Sequence, residues 1–163
     1  MTRADIARKA GLLLDTNLLV LYVVGQYDPN RIAKHKRTSS YTLEDFDLLL
    51  DFMSLFKQVV ITPNILTEVS NLLEKDSYQY GPVLSILPEL IKNFVEIPVP
   101  SHPVMVNRNK TFLKFGLSDT VACQITEQDY LLLIDDLDLC YYLQHNGFNA
   151  LNFNNIRSAN YIV

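Results

Sequence analysis

The feature that most constrains the fold of this chain is an alternation. Apolar runs of strand length, at 11–14, 58–61, 94–99, 130–134 and 149–151, recur between longer segments whose apolar residues return with helical period. Runs this short and this uniformly apolar fit parallel strands buried on both faces, and the helical segments between them supply the crossovers. The expectation is an α/β protein, a three-layer α/β/α sandwich around a central, mostly parallel sheet. No repeat, low-complexity tract or linker divides the chain, and 163 residues is the size of one ordinary domain with a real core, so residues 1–163 are expected to form a single domain.

Helix boundaries are signalled locally. Thr42 with Asp45 three residues on makes an opening like a capping box, for a helix running to about residue 56 with Phe46, Leu49, Leu50 and Met53 as its stripe. Thr62 and Pro63 place an N-cap and an N1 proline directly after the second strand. Pro82 is expected to open another helix and Pro88 to kink or split it. A short helix is expected between 102 and 115, then one capped by Ser118 or Asp119, and Gly147 ends the helix after the fourth strand.

Composition removes several classes of function. Cys123 and Cys140 belong to no CxxC pair, and His35, His102 and His145 are scattered, so neither a disulfide framework nor a zinc site is expected. Arg3, Arg8 and Lys9 ahead of an apolar stretch resemble a signal peptide, but Asp15 and Asn17 interrupt it. The longest uninterrupted apolar piece, 18–24, is far below the roughly 20 residues that span a bilayer. A cytoplasmic chain with no membrane segment is expected. Its net charge of −4 argues against nucleic-acid binding by bulk electrostatics, although Arg31, Lys34, Lys36 and Arg37 form one basic group and Arg108, Lys110 and Lys114 another.

The stretch GLLLDTNLLVLY, residues 11–22, then becomes informative, because an apolar run stops for Asp15, Thr16 and Asn17 and resumes. Asp15 follows the first strand directly, and Asp135, Asp136 and Asp138 follow the fourth in the same way. Ligands bind at the carboxyl ends of strands in open parallel sheets, so both groups are delivered to one rim. Glu68 borders the apolar stripe of the helix after the second strand, and its side chain leans back toward the strand end; Asp119 stands in the first turn of its own helix. Each acid has an ordinary structural reading as a helix cap, a dipole partner, a turn residue or a solvated side chain. Together they imply more. Converging carboxylates repel one another, a cost that a hard divalent cation removes, and oxygen-only ligands favour Mg²⁺ or Mn²⁺ over zinc. Such a site suits phosphodiester hydrolysis.

At these residues the sequence resembles the PIN-domain family of metal-dependent ribonucleases, which includes the VapC-type toxins. LLLDTNLLV, TPNILTEVSNLL, GLSDTVA and LLLIDDLDL occur in family order across nearly the whole chain. The resemblance implies a PIN-like fold and an endoribonuclease whose catalytic, metal-binding quartet is Asp15, Glu68, Asp119 and Asp136. Asp138 falls on a further acid often found two residues beyond, and Asn17, Ser118 and Asp135 on supporting polar positions. Ile134 stands where the family often has threonine, which leaves the choice between Asp136 and Asp138 open. The two basic groups, Arg31, Lys34, Lys36 and Arg37 with Arg108 and Lys110, would position the RNA backbone. Implied partners are RNA, an antitoxin if the protein is the toxin of a toxin–antitoxin pair, and a second copy of the chain. The helices that bear Tyr22, Tyr78 and Tyr80 could furnish an interface, although core packing is the safer reading of these side chains. The alternative is a PIN-like module that binds RNA or protein without cutting. A phosphoacceptor domain is set aside because Asp15 has no acidic neighbour, and a TOPRIM nuclease because the early glutamate–glycine motif is missing.

Overall fold

The computed structural model describes residues 5–6, 8–74 and 83–158; Arg3, Tyr78, Tyr80 and Pro82 lie outside them. Among the described residues the strands are β1 (Leu12–Leu14), β2 (Val59–Ile61), β3 (Val95–Glu96), β4 (Leu131–Ile134) and β5 (Ala150–Asn152). They form one sheet in the order β3-β2-β1-β4-β5, and every neighbouring pair is parallel. Leu12 sits level with Val59 on one side and Leu131 on the other, and Leu132 with Ala150. The helices are α1 (Thr16–Tyr27), α2 (Leu43–Ser54), α3 (Pro63–Glu74), α4 (Leu87–Ile91), α5 (Ser101–Asn107), α6 (Asn109–Phe115), α7 (Leu117–Thr126), α8 (Leu137–His145) and α9 (Phe153–Ser158). They flank the sheet to give the three-layer α/β/α arrangement, and among the described residues no helix is long and apolar enough to cross a membrane.

Strand order places the functional edge. The chain lays β2 and β3 outward on one side of β1, then crosses back and lays β4 and β5 on the other. Connections leaving β1 and β4 therefore diverge, and a crevice opens between them at the carboxyl ends of the strands.

The core explains why the central strands carry no polar residue. β1 and β4 are buried along their whole length, and the first helix is apolar on nearly every side because it is covered on nearly every side, with Leu18, Leu19, Val20, Leu21, Val23 and Val24 all buried. α2 crosses it closely at Gly25: a Cβ there would come within 2.3 Å of the Phe46 ring, so only glycine lets the two helices approach. The α2 cap forms as the sequence implies, with the Asp45 N–H donating to Thr42 Oγ1 at 3.2 Å and the Thr42 N–H to Asp45 Oδ2 at 2.8 Å. Thr62 likewise caps α3, accepting from the Ile65 N–H at 3.2 Å.

Several local expectations are corrected. The third strand is only two residues long and solvent-exposed, because it lies at the sheet edge and Pro98 and Pro100 cannot donate to a ladder. Pro88 marks the place where the helical stretch is split, as expected, into a 3₁₀ turn and an α-helix. It sits in the first turn of α4, after a 3₁₀ turn at Val83–Ile86, where its missing N–H has no intrahelical partner to lose. The stretch from 102 to 115 holds two helices, interrupted at Arg108. Neither Ser118 nor Asp119 is a cap: Gly116, at φ 89°, makes the turn from α6 into α7 and leaves both in the first turn of α7. Tyr22, by contrast, packs against Phe94, 5.7 Å between ring centres, in keeping with the core reading of that side chain.

Candidate metal centre

Two tight strand-to-helix turns build the floor of the crevice. Asp15 still belongs to the sheet through its N–H, which donates to Leu133 O at 3.0 Å, while its Oδ1 already caps α1 by accepting from the Leu18 N–H at 2.8 Å. On the adjacent strand the same device recurs, with Asp136 Oδ1 capping α8 through the Leu139 N–H at 2.9 Å. The turns are joined, since the Asp135 N–H donates to Asp15 Oδ2 at 3.1 Å. The ordinary reading of Asp15 as a helix cap is therefore correct, and it is also what aims the carboxylate.

The remaining acids arrive from helices. Glu68, in the second turn of α3, reaches back to the strand ends, where Thr16 Oγ1 donates to its Oε2 at 2.6 Å and Ser118 Oγ to its Oε1 at 2.5 Å. These contacts bridge α3 to the first turns of α1 and α7, and that second turn brings Asp119 alongside. The result is an open pocket of about 370 Å³ whose walls carry five carboxylates, Asp15, Glu68, Asp119, Asp135 and Asp136, and no lysine or arginine. Asn71, Leu72, Ile134 and Leu139 complete it with Thr16 and Asn17.

Electrostatics registers this crowding. Burial, followed by the Asp119 carboxyl's repulsion from Glu68 and then from Asp136, pushes it up to about 7. The carboxyl of Asp15 is held well above the usual carboxylate range, chiefly by burial and next by Asp135. Neither thiol competes as a ligand, because burial pushes Cys123 up to about 12 and Cys140 up to about 11. The donor set is all oxygen and its negative charge lacks an internal counter-charge, which suits a hard divalent cation. Among the described residues no group of three or more carboxylate, imidazole or thiol side chains already stands in a ligating arrangement. Helix N–H groups hold Asp15 and Asp136 at their own turns, while the Thr16 and Ser118 hydroxyls draw Glu68 toward α1 and α7.

Behind the pocket lies a support that sequence reasoning missed. The Tyr41 hydroxyl donates to Asp135 Oδ2, Asn17 Nδ2 donates to Oδ1 at 3.1 Å, and Asn154 Nδ2 to the Asp135 carbonyl at 3.2 Å. Burial, then the Asp135 contact, raises the Tyr41 phenol and keeps it a donor. Arg157 of α9 locks this arrangement by gripping both Asp45 oxygens at 2.7 Å and the Ser40 carbonyl at 3.2 Å. Asn71 was readable, standing one turn beyond Glu68 on the same helix face. Tyr41 was not, since 94 residues separate it from Asp135.

The other site expectations divide. Asn17, Ser118 and Asp135 stand in this network as supporting groups. Of the two acids left open, Asp136 lines the pocket; Asp138 is exposed in the first turn of α8 and does not. None of Arg31, Lys34, Lys36, Arg37, Arg108 and Lys110 lines it. Arg31 follows the far end of α1, about 18 Å of helix from Asp15, where it pairs with Asp28 at 3.4 Å and lies over the Tyr27 ring. Arg108 pairs with Glu127, which caps the end of α7 opposite Asp119. No protein-family model matches the sequence, and no curated protein and no solved structure shows significant similarity to it.

Proposed function

We propose that this protein is a metal-dependent endoribonuclease of the PIN-domain kind, hydrolysing RNA phosphodiester bonds at the acidic pocket. The observation that carries the reading is the meeting of Asp15, Glu68, Asp119 and Asp136, from four separated segments, in one pocket at the switch point of a parallel sheet. Asp15, Glu68, Asp119 and Asp136 would hold Mg²⁺ or Mn²⁺, and a cation bound there supplies an acidified water and charge to offset the phosphate oxygens. The chain's own residues do the positioning. Thr16 and Ser118 orient Glu68 through its two oxygens; the Leu18 and Asp135 N–H groups orient Asp15 through its two. Leu72, Ile134 and Leu139 give the pocket an apolar side.

The test is cleavage of end-labelled RNA by the purified chain with Mn²⁺, beside Asp15→Asn and beside wild type in EDTA. Cleavage confined to wild type with metal supports the reading; equal cleavage in all three overturns it. A second reading, a PIN-like module that binds RNA or a protein without cutting, is favoured by the lack, among the described residues, of any three carboxylates already grouped to hold a metal, Glu68 being engaged by Thr16 and Ser118 instead. Mn²⁺ binding by calorimetry without cleavage of any RNA offered would select it. An antitoxin and a second copy of the chain belong to the same proposal and rest on the family resemblance alone; a cytoplasmic site of action belongs to it too and rests on the unpatterned cysteines and the short apolar runs.

A further inference from the structure

Two of the basic residues that miss the acidic pocket stand together elsewhere. Arg108 and Lys110 line a separate open cleft of about 390 Å³ between the α5–α6 junction and the end of α8. Its other walls include the amides of Asn107, Asn109 and Asn146 and the rings of Tyr142 and Phe148, and no carboxylate lines it. The cations, amides and rings of that cleft suit an anion carrying a flat, hydrogen-bonding group.

The cationic side is held ready. Glu127 pairs with the Arg108 guanidinium, which lies over the Phe148 ring with 5.4 Å to its centre. A guanidinium has five N–H donors, so the pair with Glu127 leaves others for a ligand. Thr111 and Tyr142 are joined through their hydroxyls at 2.9 Å, and Lys114 lies over the Tyr142 ring at 5.5 Å.

Position supplies the rest of the argument. Lys110 and Lys114 stand four residues apart on α6, one above the other on a single face. Helix α6 is flanked by Arg108 before it and Gly116 after it, the latter two residues before the Ser118 that grips Glu68. The basic ridge therefore leads from the cleft toward the rim of the acidic pocket. The two sites lie at opposite ends of α7, about 15 Å of helix, a span that about five nucleotides cover at the ~3.4 Å rise of a stacked strand.

We infer that the cleft of Arg108, Lys110, Tyr142 and Phe148, continued by Lys114, is a binding track for single-stranded RNA that seats the strand running to the acidic pocket. The inference rests on the reading of that pocket as a ribonuclease site, but binding can be measured without cleavage. The probe is a labelled hexa-adenylate, followed by fluorescence anisotropy with the full-length chain in EDTA across a salt series. Binding to wild type is expected, weakened at least tenfold by Lys110→Glu and further by Lys110→Glu with Lys114→Glu. The log–log salt slope should fall by about 0.7 for each cation lost. Lys92→Glu, at an exposed ion pair with Glu89 on the β2–β3 connection, makes the same charge change elsewhere and should leave affinity within twofold. Failure of wild type to bind, or equal weakening by Lys92→Glu and Lys110→Glu, overturns the inference. So does competition by adenosine monophosphate at the hexamer's own concentration, which would mark a pocket for single nucleotides. Hexamer binding with these variant effects and no Mn²⁺-dependent cleavage would keep the track and reject the nuclease; cleavage with unaltered Lys110→Glu binding would do the reverse.

Discussion

Replacing Asp119 by Asn should stabilise the metal-free protein, by an amount that grows as pH rises from about 4 to about 7 and is level above that. In the folded chain this carboxyl sits near 7 because it is buried beside Glu68 and Asp136; in the unfolded chain it returns to about 3.8. Between those values the folded state binds more protons than the unfolded state, so stability falls as pH rises through the interval and is level above it. About three pH units at about 1.4 kcal/mol each gives about 4 kcal/mol, and water at the partly exposed edge screens some of it, leaving about 2–4 kcal/mol. For a chain of this length that is a rise in Tm of about 5–15 °C for Asp119→Asn at pH 8, shrinking to about zero at pH 4. Thermal and urea unfolding in EDTA at a series of pH values measures it. Asp15, raised in the same direction, should leave the variant with a residual slope of the same sign. Equal stability of wild type and Asp119→Asn at pH 8, or a wild type no weaker at pH 8 than at pH 5, would refute the account of crowded carboxylates.

Other perturbations report on separate parts of the argument. Mn²⁺ at about a hundredfold over its Kd should add about 2.7 kcal/mol to wild type at pH 8 by mass action, and nothing to Asp15→Asn; both are read from Tm against metal concentration. Gly25→Ala drives a Cβ into the Phe46 ring and should cost about 1–3 kcal/mol in urea unfolding, with an unchanged m-value. Asp45→Ala removes both the α2 capping box and the grip of Arg157, and a loss of about 2–3 kcal/mol is expected by the same assay. Tyr41→Phe deletes only the hydroxyl that meets Asp135 and should cost about 1–2 kcal/mol, measured in EDTA so that metal binding does not mask it.

The layers of the fold were legible because each follows from short-range chemistry. A run such as Leu131 to Ile134 has no polar face to offer solvent, so it must be buried on both sides, and parallel strands under helices are what bury it. Thr42 with Asp45 and Thr62 with Pro63 announce their helices within a few residues. The third strand was read too long because its apolar run signals burial, whereas its place at the sheet edge depends on strand order. Gly116 was overlooked as a cap because Ser118 and Asp119 are commoner caps, and the backbone turn that decides the matter leaves no side-chain signature.

The same division runs through the pocket. Sequence alone determined which acids follow strands and which lean back along helices, and so placed Asp15, Glu68, Asp119 and Asp136 at one rim. Tertiary structure decided what those acids meet. Strand order set β1 beside β4, and only that adjacency lets the Asp135 N–H reach Asp15; helix packing brought Thr16 and Ser118 onto Glu68 and carried Arg31 and Arg108 away. Periodicity and caps act over a few residues and are written in the local order of side chains, whereas a contact between Tyr41 and Asp135 exists only once the whole sheet has closed.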